Sequence, residues 1–186
     1  MIGKPNSPRH WLRTCVGDEK AKSAEAGYVD ETYIRVRGGW RYLYRAIDRA
    51  GALVDVMLSE HRDLAAAKAF FRSAKAVTGV TPDRVTTDGH DAYPRAIRTE
   101  LGRHVRHRTR YLNNRLEQDH RGIKGRCRPM LGLKSTGSAR RYCRGHDELR
   151  NFLRCRSRMR QRVPAATRRW QHMRRAAIAL GILETA

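Results

Sequence analysis

Apolar and polar residues alternate along three consecutive stretches, 28–36, 40–48 and about 53–59, separated by turn residues. Alternation with period two predicts strands, and the short connections predict an antiparallel meander. In the first stretch, YVDETYIRV, Tyr28, Thr32, Ile34 and Val36 fall on one face, with Asp30 among them. Gly38-Gly39 reads as a two-residue hairpin turn, since both residues tolerate positive φ. Trp40, Tyr42 and Tyr44 cluster on the return strand, and such clustering predicts service in the core and the sheet.

The period then lengthens. Asp63 stands as an N-cap before Leu64, Ala67, Phe70, Phe71 and Ala74, which recur at helical spacing until Gly79 and Pro82 end the run. Arg84–Asp88 is a short strand, 91–101 a second helix with Tyr93, Ile97 and Leu101, and 104–109 a brief basic strand. Asn113 or Asn114 opens a third helix that reaches about Arg128 and stops at Pro129. After the loop MLGLKSTGS, an amphipathic helix over about 137–160 presents the apolar line Ala139, Tyr142, Cys143, Leu149, Phe152 and Leu153, and a basic helix covers 165–183. A strand reached through a crossover helix pairs in parallel with an earlier strand. The expected fold is therefore α/β, a ribonuclease-H-like mixed sheet of three antiparallel strands, a crossover helix and a parallel strand, with flanking helices. Residues 1–27 show no clear periodicity and read as a poorly ordered arm, 28–160 as the ribonuclease-H-like domain, and 161–186 as a basic helical tail.

Charge changes the picture more than composition does. The 186-residue chain carries a formal +22, unevenly placed. Residues 1–102 hold 17 Lys/Arg against 13 Asp/Glu, whereas residues 103–175 hold 23 against 4. A segment so basic meets polyanions readily, because neutralising phosphates releases condensed counterions, and nucleic acid is the expected partner. No apolar run approaches the roughly 20 residues needed to span a bilayer. The start, MIGKPNSPRH, lacks the apolar core of a signal peptide, so a cytoplasmic protein is expected. Cys15, Cys127, Cys143 and Cys155 form no CxxC pair, and free thiols account for them better than a zinc site built with His146.

Three carboxylates carry the candidate chemistry. Asp30 on an otherwise apolar face costs free energy unless it is hydrogen-bonded, paired or bound to a cation. Should the fourth strand lie beside the first, Asp88 at its end approaches Asp30, and two such carboxylates need either a shared proton or a cation between them. Magnesium suits that place, since it takes few carboxylates and keeps waters that substrate phosphate can replace. A third carboxylate is expected from a helix packed near the strand ends. At about 100° per residue, Asn114, Glu117, Arg121 and Lys124 share one face of the third helix, while Leu112, Leu116 and Ile123 mark its buried side. Asp119 lies roughly 200° round from Glu117 and cannot join the same site. Taken singly, Asp30 also fits a polar strand edge, and Glu117 also fits an exposed helical ion pair. His90, His107 and His120 are expected at the surface or facing DNA.

The blocks VDETYIRVRGGWRYLYRAIDRAG, TTDGHDAYPRAI, RYLNNRLEQDHRGIKGRCRPMLGLKS and SARRYCRGHDELRNF, in that order, resemble the DDE transposases of bacterial insertion sequences. The resemblance is to the cointegrate-forming, insertion-sequence-six type, whose D-D-E core is followed by a Lys seven residues after the Glu, and it covers about residues 28–153. It implies a ribonuclease-H-like, integrase-like catalytic core in which Asp30, Asp88 and Glu117 bind two magnesium ions, with manganese able to substitute. Lys124 matches the family's basic residue that contacts DNA near the cleaved bond, and Arg121, Asn114, Arg126, Arg128 and Lys134 are further candidates for DNA contact. The implied reaction is metal-dependent strand cleavage followed by transfer of the freed 3′-hydroxyl to a target phosphodiester, without a covalent protein intermediate. The implied partners are transposon ends and target DNA, in a homodimer or larger synaptic assembly of a bacterial, nucleoid-associated protein, with no membrane.

Two departures qualify that expectation. Family members usually carry an N-terminal helix-turn-helix for the terminal repeats, and residues 1–27 show none; the interval from Asp88 to Glu117 is also several residues shorter than the family commonly shows. The alternatives are thus a truncated, non-catalytic basic DNA-binding remnant, or a ribonuclease-H-like nuclease.

Overall fold

The computed structural model describes residues 27–49, 51–109, 114–153 and 163–181. Its strands are β1 (Gly27–Val36), β2 (Gly39–Asp48), β3 (Leu53–Ser59), β4 (Arg84–Thr87) and β5 (Arg106–Thr109). Its helices are α1 (Leu64–Thr78), α2 (Ala92–Glu100), α3 (Asn114–Cys127), α4 (Thr136–Leu153) and α5 (Ala165–Ala179). The strands form one sheet in the order β3-β2-β1-β4-β5. β1, β2 and β3 pair antiparallel, whereas β4 joins β1 in parallel, Tyr28 facing Thr86, and β5 continues in parallel beyond it. This is the ribonuclease-H-like arrangement expected from the element order.

Period two assigns the two faces of the sheet. Val29 of β1 with Tyr44 and Ala46 of β2 packs on one side against Ala67, Phe70 and Phe71 of α1 and Tyr93, Ala96 and Ile97 of α2. Ile34 and Val36 with Leu43 and Leu58 pack on the other against Ile123 of α3 and Ala139 and Cys143 of α4. Asp30 belongs to this second set by parity, and its neighbour Glu31 to the first. Burial of each of the larger side chains contributes about 1.5–3 kcal/mol, so the two half-cores fix which way every β1 residue points.

Local signals set the ends of the elements. The Asp63 side chain accepts the Ala66 N–H at 2.8 Å, capping α1, and Gly79 closes the same helix in the left-handed region at φ 67°, where a Cβ would be strained. The β1–β2 turn differs from expectation by one residue. Arg37 (φ 52°) and Gly38 (φ 77°) occupy it, and Gly39 already pairs with Val36. The shift keeps Ile34 and Val36 on the buried face, which outweighs the cost of a left-handed arginine.

Two expected core positions move as well. Trp40 is 60% exposed and stands edge-on to the exposed Tyr33, with ring centroids 5.7 Å apart. Tyr44 alone of the aromatic trio is fully in the core. On α4, Leu149 is exposed, and the buried line is instead Ala139, Cys143 and Asp147, spaced by four. Of the cysteines, Cys127 and Cys143 are free, while Cys15 and Cys155 lie outside the described residues, as do the arm 1–26 and residues 154–162.

Candidate active site

Asp30 lies near the start of β1, and Asp88 follows the last residue of β4. Parallel pairing of those two strands carries Asp88 to the strand edge beside Asp30. A positive φ of 99° at Gly89 then lets the chain turn directly into α2. The Asp88 carboxylate is held from two directions: the His90 N–H donates to Oδ1 (3.1 Å) and Arg62 Nη2 to Oδ2 (3.0 Å). Asp30 accepts the N–H of Glu31 at 2.9 Å.

The structure adds a third acid that periodicity did not single out. Glu31, Asp30 and Asp88 each offer an oxygen within 4.8 Å of the others, the group of metal-binding character among the described residues. Glu31 is almost wholly buried and is held by Arg62 Nε and by the Tyr93 hydroxyl. Burial and the adjacent Glu31 push the Tyr93 phenol up, so it stays protonated and donates. Neither Arg62 nor Tyr93 bears a sequence signal for this role; only the meeting of β1 with α2 and the α1 N-terminus creates it.

Three carboxylates against one guanidinium leave the site short of positive charge. Burial first, then Asp88 and Glu31, then more weakly Glu117, raise the Asp30 carboxyl from 3.8 to about 7, against the lowering effect of the Glu31 N–H. A divalent cation would relieve the same repulsion that a proton relieves, and hard oxygen donors at this spacing suit one. No helix of the described residues is long and apolar enough to cross a membrane.

Glu117 opens the first turn of α3, outside the 4.8 Å group. Its side chain is 56% exposed, with His120 Nδ1 at 3.8 Å and Arg121 at 3.6 Å. Contacts of that length leave the rotamer unlocked. The structure therefore brings Asp30 and Asp88 together, with Glu117 close enough to act on Asp30 through its charge. Lys124, two turns along, lies over the Tyr33 ring at 5.1 Å. Arg121, Arg128 and Lys134 are exposed, Lys134 donating to the Leu131 carbonyl, and Arg126 reaches His146 at 3.3 Å. The side chain of Asn114 lies outside what is described.

The histidines depart from expectation. His120 is 2% exposed and faces the interior; burial, then Arg45 and Lys124, lower its imidazole from 6.5 to about 3, so it is neutral. The half-buried His107 contacts Thr87 Oγ1 at 2.8 Å, and the half-buried His90 stands edge-on to Tyr93. Both are tied to the sheet and to α2.

With this geometry in place, the family is clear: the chain belongs to the DDE domain family, whose model matches residues 25–156. Among curated proteins, it is 40% identical over 115 residues to the transposase for insertion sequence-like element IS431mec of Staphylococcus aureus (strain Mu50). The match covers 58% of this chain and 51% of that protein. The transposase for insertion sequence element IS257 in transposon Tn4003, also from Staphylococcus aureus, is similar to the same extent. The chain thus spans about half the length of the curated relatives it matches. Among solved structures, the HTLV-2 integrase catalytic core domain in complex with magnesium is similar with a TM-score of 0.48 at 18% identity, over 61% of this chain and 76% of that one.

Proposed function

We propose that this chain is the catalytic region of a DNA transposase, cutting DNA at an element's end and joining it to a target. The observation that carries the reading is the pair Asp30 and Asp88, two acids from strands joined in parallel within a DDE domain, where burial first and then the Asp88 charge lift Asp30 to about 7. In this reading Asp30, Asp88 and Glu117 hold two magnesium ions, replaceable by manganese, which when bound supply Lewis acidity toward water and phosphate oxygens. The domain comprises residues 28–160, with 1–27 and 161–186 as appendages.

The remaining work falls to this chain's own side chains. Asp30 and Asp88, fixed on neighbouring central strands of a rigid sheet, set where a phosphodiester can sit. Glu117, on an exposed rotamer, completes the set by turning toward the strand edge when DNA is engaged. Lys124 and Arg121, on the same helix face as Glu117, neutralise phosphate charge beside the cut, and Asn114, Arg126, Arg128 and Lys134 extend the grip along the backbone. Positioning and electrostatics do most of the catalysis, and no protein nucleophile is required. Paired ends imply a homodimer or larger assembly.

Purified protein with magnesium or manganese is expected to nick or join DNA bearing element ends, and Asp30→Asn to abolish this while DNA binding persists. Equal activity in the Asn variant would overturn the assignment. The exposed position of Glu117 outside the tight acidic group favours a second reading, a basic DNA-binding chain without metal chemistry. That reading expects salt-sensitive DNA binding, no cleavage and no thermal stabilisation by magnesium.

A further inference from the structure

We propose that Arg62 is a positioning residue of the metal site, holding Glu31 out of the ligand set while fixing the carboxylate of Asp88. The inference rests on the reading of Asp30 and Asp88 as metal ligands given above. Three acids lie close enough to compete for one cation, yet their oxygens are not equally available. Both Glu31 oxygens are taken, one by Arg62 Nε and the other by the Tyr93 hydroxyl, and its side chain is 3% exposed. Asp30 accepts a single bond, from the Glu31 N–H. Asp88 accepts one bond on each oxygen, from His90 N–H and from Arg62 Nη2.

One guanidinium therefore serves two carboxylates with different consequences. It neutralises Glu31, which is buried and carries a second strong donor, so Glu31 has little charge left to offer a cation. It restrains Asp88, which is 30% exposed on its side chain and keeps lone pairs facing outward. The root of Arg62 is itself fixed, because the next residue, Asp63, caps α1. The planar fork of arginine is what spans both acids; a lysine would carry the charge but not the two directions. With Glu31 held by Arg62 and Tyr93, Asp30 and Asp88 are the acids of the group left to face metal.

The test measures Mn2+ binding to the full chain without DNA, counting free Mn2+ by electron paramagnetic resonance, alongside nicking at saturating Mn2+. Glu31→Gln is expected to bind Mn2+ within about threefold of the parent. Arg62→Ala frees Glu31 to ligate: Mn2+ binds at least fivefold tighter, while nicking slows at least tenfold. Adding Glu31→Gln to Arg62→Ala brings affinity back to the parent range and restores part of the rate. If Glu31→Gln loses Mn2+, Glu31 is a ligand and the proposal is overturned. It is equally overturned if Arg62→Ala leaves affinity unchanged or weaker, if its rate holds, or if the double variant shows no rescue. Asp30→Asn run in parallel keeps the two readings apart, since retained Mn2+ binding there removes the metal site itself and not merely the role of Arg62.

Discussion

Two clusters of charge sit side by side on the same strands, and each is answered differently. Where β1 meets β4, Asp30, Glu31 and Asp88 lie together in partial contact with solvent, and one guanidinium, Arg62, bonds Glu31 and Asp88. On the α3/α4 side, Arg45 meets Asp147 with both side chains fully buried. The two are adjacent, since Arg45 stands directly opposite Asp30 across the β1–β2 ladder. Yet Arg45 reaches away to α4, and Asp30 keeps its repulsion. One site is balanced and closed, the other unbalanced and open. Balance with burial is what structural ion pairs need, whereas uncompensated charge at an open edge is where a cation and a substrate can enter.

The largest effect is expected at the closed pair. Asp147→Ala leaves the Arg45 guanidinium buried without its counter-ion and is expected to cost about 3–5 kcal/mol in urea unfolding. Arg45→Met with Asp147→Leu should cost far less, because neither change then strands a charge. At the open site the sign reverses. With its carboxyl raised in the folded state to about 7 from 3.8, Asp30 favours folding fully below pH 3.8, and that contribution is lost as pH rises through 7. At pH 8 without metal, Asp30→Asn should therefore be more stable than the parent by roughly 2 kcal/mol, a figure discounted for its partial exposure. Added magnesium should raise the melting temperature of the parent and not of the variant.

Smaller effects sharpen the same contrast. His120, pressed against the Arg45 side, is held to about 3 in the folded state against 6.5. Its contribution is present above pH 6.5 and is lost as pH falls toward 3. Between pH 7 and 5 the parent should lose about 1.5 kcal/mol that His120→Gln retains, read from unfolding curves at the two pH values. Asp63→Ala removes the cap of α1 and should cost about 1 kcal/mol, together with some loss of order at Arg62.

Most of the fold was legible because its signals are local. The cap at Asp63, the stop at Gly79 and the alternation along β1 act over a few residues, and the structure follows them. The errors fall where a neighbour in space decides. Leu149 looked like core by helical spacing, but α4 turns Asp147 inward to meet Arg45. His120 looked like a surface residue, but α3 docks it on the sheet. Glu31 carries no local signal, because its role depends on Arg62 and Tyr93, which are distant in the chain.

Alternation and helical spacing, read along the chain, determined the order of elements, the sheet type and the face on which Asp30 lies, because side-chain direction follows from backbone period alone. Tertiary structure decided which charges are answered: that Arg45 goes to Asp147, that Arg62 spans Glu31 and Asp88, and that Asp30 is left buried beside two acids. Electrostatic balance is a property of distances between remote residues and of the water around them, and neither is written in a local pattern.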